Sequence, residues 1–84
     1  MYKIIFSQGA EKEFLKLDKQ VQERIIRAFT KLLINPKRNL EKLVGLPYYK
    51  LRISDYRLII KLDEQNQIIN IMKVGHRKNI YKEL

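Results

Sequence analysis

The 84-residue chain has no cysteine, two prolines, three glycines and one histidine. Without cysteine, disulfides and thiolate metal sites are excluded. One histidine and nine Asp and Glu residues leave no convincing metal cage. The few prolines and glycines punctuate the chain without forming linkers, and neither repeats nor low-complexity tracts occur. No apolar run approaches membrane-spanning length, and the N-terminus alternates polar and apolar residues with no signal-peptide core. These absences predict a soluble, cytoplasmic protein with no membrane partner. Negative charge is also scarce. Eighteen Lys and Arg give a formal net charge of +9, which says nothing about fold but favours a polyanionic partner such as nucleic acid, a ribosome or an acidic protein.

What is present reads as one small domain over residues 1–84, too short for two cores. Tyr2–Phe6 reads as a first strand, and Ser7 can cap the helix that follows. Ala10, Phe14 and Leu17 recur at helical spacing, and Asp18 looks like a second cap. Val21, Ile25, Phe29 and Leu32 continue as an apolar stripe, with Ile26 and Leu33 widening it, until Asn35-Pro36 stops the helix. Residues 37–46, with Lys37, Arg38, Lys42 and Gly45, form a connection.

After Pro47 the period changes to two. Tyr49, Leu51 and Ile53 point one way, and Tyr48, Lys50 and Arg52 the other. Ser54-Asp55 makes a tight connection to a strand over Tyr56–Leu62, with Leu58 and Ile60 on one face and Arg57, Ile59 and Lys61 on the other. A turn at 63–67 leads to a last strand, Ile68–Val74, and Tyr81 falls in a short terminal helix or extension. The expected fold is α+β, in the order β-α-α-β-β-β with a short C-terminal helix, an antiparallel sheet packed on a two-helix arm. A hairpin centred on Ser54-Asp55 brings Arg57 beside Lys50 and Arg52, three cations that repel unless an anion joins them. A merely solvated basic face is the alternative.

Two stretches in this order are familiar. Leu51-Arg52-Ile53-Ser54-Asp55-Tyr56-Arg57 and Val74-Gly75-His76-Arg77, with Tyr81 after them, resemble toxins of the RelE/ParE superfamily, and Ala10, Phe14 and Leu17 before a long amphipathic helix resemble that family's helix arm. The resemblance implies a RelE-like mRNA interferase, the toxin of a type II toxin–antitoxin system. Such proteins cut mRNA in the ribosomal A site without metal or cofactor, by attack of the ribose 2′-hydroxyl, leaving a 2′,3′-cyclic phosphate and a 5′-hydroxyl. It further implies a RelB-like antitoxin partner, in a toxin–antitoxin hetero-oligomer, and contact with ribosomal RNA.

By the same resemblance Lys50, Arg57, Arg77 and Tyr81 carry over as catalytic residues. Arginine stabilises a phosphorane-like transition state, and tyrosine stacks a base or aids proton transfer. His76 joins them as a general acid or base, since free imidazole titrates near about 6.5. Arg52, Tyr48, Lys73 and Lys78 are the expected RNA-binding residues. Tyr48 stands where some relatives have a second lysine. ParE-type relatives, described as gyrase poisons without nuclease chemistry, are the rival reading, and an inactive member that only binds RNA or antitoxin is a third.

Overall fold

The computed structural model describes residues 1–82. Lys3–Phe6 form β1, Gln8–Leu15 α1 and Lys19–Ile34 α2. A single 3-10 turn at Lys37–Asn39 precedes β2, Glu41–Lys42. Then come β3, Tyr49–Ile53, β4, Tyr56–Asp63, and β5, Ile68–His76. The α+β class and the order of the main elements are as expected. The segment 37–46 is more than a connection, because β2 adds a short edge strand beside Lys50 and Tyr49.

Local chemistry sets the helix ends. The Ser7 hydroxyl accepts the Ala10 N–H at 3.1 Å, capping α1. Asp18 precedes α2, but its side chain makes no capping bond. Asn35, at φ −150°, is extended as the residue before Pro36 must be. The Asn39 amide then donates to the carbonyls of Lys31 and Asn35, closing the end of α2. Ile25, Phe29 and Leu32 are buried as the stripe required, whereas Ile26 and Leu33 are exposed and do not widen the core. The buried stripe is therefore narrower than the apolar one.

The sheet order is β1-β5-β4-β3-β2. β3, β4 and β5 are antiparallel neighbours, as expected of the C-terminal part of the sheet, and β1 joins β5 in parallel. The two-helix crossover between β1 and the later strands permits that direction. Leu51, Ile53, Leu58, Ile60, Ile69, Ile71 and Val74 pack against Ala10, Ile25, Phe29 and Leu32 on one face. Ile60 pairs with Ile71, yet Ile59 pairs with Lys73, so Met72 is an extra residue in β5. This bulge shifts the inward positions from Ile69 and Ile71 to Val74 and His76. The expected C-terminal helix is replaced, among the described residues, by turns in which the His76 carbonyl accepts the N–H groups of Asn79 and Ile80, at 2.9 and 3.0 Å.

Candidate active site

The hairpin register sets Arg52 directly opposite Arg57 and Lys50 opposite Ile59, and β5 adds Lys73 opposite Ile59 and Gly75 opposite Arg57. Side chains alternate across a strand, so Lys50, Arg52, Arg57 and Lys73 share the sheet face turned away from the helix-packed core. Like charges paired across strands destabilise a sheet, and the chain supplies its own relief. Glu41 on β2 reaches Lys50 at 3.5 Å and Arg52 at 3.4 Å. Arg57 Nη1 donates to the carbonyls of Ser54, at 2.9 Å, and Tyr56, at 2.8 Å. Its other N–H groups have no partner among the described residues.

The Ser54-Asp55 loop holds a second arginine. The Arg77 N–H donates to the Asp55 carbonyl at 2.8 Å, and Arg77 Nε lies 3.6 Å from the Asp55 carboxylate. Beyond it the tail folds back over the sheet. A Cβ placed on Gly75 would stand 3.2 Å from Ile80 Cδ1, so the missing side chain leaves room for the tail to lie close beside the Arg57 pair. Ile80 is buried and Tyr81, next along, is 41% exposed. Tyr48 is half-buried just before β3, and Lys78 is exposed on the turn.

His76 is placed differently from the expectation. The Met72 bulge sets it opposite Tyr56, so alternation turns its ring to the other side of the sheet from Arg57. The ring stands edge-on to Tyr56, with centroids 5.6 Å apart, and Nδ1 accepts the Lys78 N–H at 3.2 Å. Its nitrogen and its carbonyl together shape the turn that carries Ile80 and Tyr81.

Sequence reasoning missed Glu41, Ile80 and Glu13. Glu41 lies in a stretch with no periodic signal, and its role comes only from pairing with β3. Glu13 on α1 accepts the Val74 N–H at 3.0 Å and lies 3.9 Å from Lys73 Nζ. It supplies the partner that β1, ending at Phe6, no longer offers to the end of β5. Val74 is 2% exposed, and an unmatched buried N–H costs about 1–3 kcal/mol. Glu13→Ala is therefore expected to lower stability by that amount in chemical denaturation. Glu13→Gln, which keeps an acceptor oxygen, should lose less than half as much; equal losses would refute the hydrogen-bond account.

Hydrogen bonds from the Asn66 side chain and backbone hold the Asp63 carboxyl below its usual range, and the hydrogen bond and charge of Glu64 push Lys37 up. Asp63 is at the opposite end of β4 from Arg57.

The chain is thus a small α+β protein whose sheet carries a cationic outer face and a basic tail. The sequence profile of the ParE toxin of the type II toxin–antitoxin system parDE matches residues 4–81. The mRNA interferase toxin RelE of Escherichia coli K12 is 31% identical over 87 residues, which covers 98% of this chain and 92% of that protein. In structure, the chain is similar to the intact E. coli RelBE toxin–antitoxin complex, with a TM-score of 0.78, 32% identity, and 90% of this chain and 96% of that one covered. It is also similar to the RelBE2 complex of Mycobacterium tuberculosis, with a TM-score of 0.83, 25% identity, and 90% and 98% covered. The chain belongs to the RelE/ParE toxin superfamily.

Proposed function

We propose that this chain is the toxin of a type II toxin–antitoxin pair and acts as a ribosome-dependent mRNA endoribonuclease, cutting in the A site. The observation that carries this reading is that Arg57 and Arg77 are tied to one loop, on a sheet whose outer face also holds Lys50. The RelE relatives named as mRNA interferases support it. The ribose 2′-oxygen attacks the neighbouring phosphorus, the bond to the 5′-oxygen breaks, and a 2′,3′-cyclic phosphate and a 5′-hydroxyl remain. The proton lost by the 2′-hydroxyl is balanced by one delivered to the leaving oxygen.

Negative charge on the non-bridging oxygens is met by Arg57 and Lys50, preorganised by their own tethers. Arg77 contacts the phosphate near the leaving group, and Tyr81 stacks a base or assists proton transfer. Arg52, Tyr48, Lys73 and Lys78 flank the strand as binding residues. In this scheme residues 1–84 work as one toxin domain, with a RelB-like antitoxin as partner; the exposed Ile26, Leu33 and Ile34 on α2 offer that partner an apolar surface.

His76 acts here as a positioning residue. His76→Asn keeps an acceptor where Nδ1 stands, so cleavage on ribosomes should stay within a few-fold of wild type with an unchanged pH profile from about pH 6 to 8. His76→Ala should lose much more. A flattened profile in His76→Asn would return the histidine to proton transfer.

The match to the ParE profile favours a second reading, a gyrase-directed toxin without nuclease chemistry. Purified protein added to programmed ribosomes, and separately to gyrase with supercoiled DNA, separates the two. Codon-dependent mRNA cuts bearing cyclic phosphate ends, with gyrase unaffected, are expected. Gyrase inhibition without cuts would overturn the enzyme reading.

A further inference from the structure

Two carboxylate oxygens already sit where the phosphate of the proposed reaction has to arrive. Glu41 Oε2 lies 3.5 Å from Lys50 Nζ, and Oε1 of the same group lies 3.4 Å from Arg52 Nε. One anion thus spans two cations, an oxygen to each, as the non-bridging oxygens of a phosphate can. A full-strength charge-assisted bond measures about 2.7–2.9 Å, so this bridge is loose. The Lys50 side chain is 21% exposed and that of Glu41 55%, which makes the lysine the deeper partner. A carboxylate and a phosphate repel each other, and both cannot hold Lys50 closely. Arg57 differs, because its tethers are neutral backbone carbonyls that carry no net charge to repel an incoming anion.

The strand that carries Glu41 is lightly held. β2 is two residues long at the edge of the sheet, with Glu41 opposite Lys50 and Lys42 opposite Tyr49. Beyond it the chain turns through Gly45 at φ +75°, and Val44 beside that glycine is exposed. Short edge segments with few buried groups open at the least cost. Glu41 can leave its two partners without disturbing the core, since neither residue of β2 belongs to it.

On the reading above that this face receives the message, we infer that Glu41 is a built-in stand-in for the message phosphate. In the free chain it holds Lys50 and Arg52 together, where Arg52 also faces Arg57 across the strands. When RNA binds, the phosphate takes the cations and the carboxylate turns out to solvent. Binding is therefore an exchange of one oxyanion for another. Two consequences follow from the exchange. Affinity stays below what the bare cations would give, and the released carboxylate gathers a solvent cation, which makes the salt dependence shallower.

The test compares the full chain with Glu41→Gln and with Glu23→Gln, which removes the same charge from an exposed site on α2. The probe is a 2′-O-methyl oligoribonucleotide, which lacks the nucleophile and cannot be cut. Its affinity is measured free in solution and as the message on programmed 70S ribosomes, across a salt series. Glu41→Gln should bind about three- to tenfold more tightly, the scale of two partly exposed ion pairs. Its slope of log K against log salt should steepen by up to about 1. Its melting temperature should fall at the same time, and a merely structural carboxylate would not strengthen binding as stability drops. Cleavage of an ordinary message at low ribosome concentration should rise with the affinity. Glu41→Asp keeps the charge one methylene short of its partners and should fall between wild type and Glu41→Gln. It also carries the comparison if the glutamine variant does not fold. Unchanged or weaker binding in both Glu41 variants overturns the inference, as does equal tightening in Glu23→Gln. Loss of cleavage at saturating ribosomes in Glu41→Gln also overturns it, and would make the carboxylate a proton acceptor in the reaction. A wild type that binds the free oligonucleotide yet never cuts on ribosomes defeats the enzyme reading, while the affinity ratio still decides the role of Glu41.

Discussion

Arg57→Ala is expected to lower ribosome-dependent cleavage by about 10²- to 10³-fold, the usual cost of removing one preorganised donor from a developing oxyanion. The melting temperature should move by only a few degrees. The lost bonds to the Ser54 and Tyr56 carbonyls are offset by relief of the repulsion from Arg52 opposite. Arg57→Lys keeps the charge but not the planar fork, and should recover only part of the rate. Single-turnover cleavage on programmed ribosomes and a thermal melt read both quantities. Full activity in Arg57→Ala would remove the sheet face from the chemistry.

Gly75→Val should be nearly as damaging, though it touches no reacting group. Its branched side chain would meet Ile80 where even a single Cβ stands 3.2 Å away. The tail must then lift and carry Tyr81 with it. A displacement of about 1 Å can cost about 10²-fold in rate, and that is the loss expected. Gly75→Ala asks Ile80 Cδ1 to yield only a few tenths of an ångström and should be mild. Ile80→Ala, which removes the buried anchor of the tail, should reproduce the loss by a different route. Limited proteolysis ahead of the tail provides a second readout, since an unseated tail is cleaved sooner. Wild-type cleavage in both Gly75→Val and Ile80→Ala would show that the seating of the tail is irrelevant.

The contrast between Arg57 and His76 explains what was legible beforehand. Strand alternation and a two-residue loop are local properties, so the grouping of Lys50, Arg52 and Arg57 could be read from period and spacing. The bulge at Met72 has no marker in the sequence, and one inserted residue reverses every later side chain. His76 therefore stood outside the reach of pattern reasoning. Glu41 was hidden for a related reason: a two-residue strand shows no periodicity, and only its place beside β3 lets one carboxylate serve two cations. On α2, the apolar residues alone could not tell buried Leu32 from exposed Leu33, since the width of the buried stripe depends on what packs against it.

The charge, the helix arm, the hairpin and its cationic face, and the order of the main strands along the chain could all be read from the residues. These follow from short-range causes: backbone preference, proline geometry and the period of apolar residues. The parallel seat of β1, the face taken by His76, the return of the tail over Gly75 and the counterions that let like charges stand together emerge only in the folded chain. Each of those depends on residues far apart in the chain meeting in space, and a one-residue change of register is enough to alter the outcome.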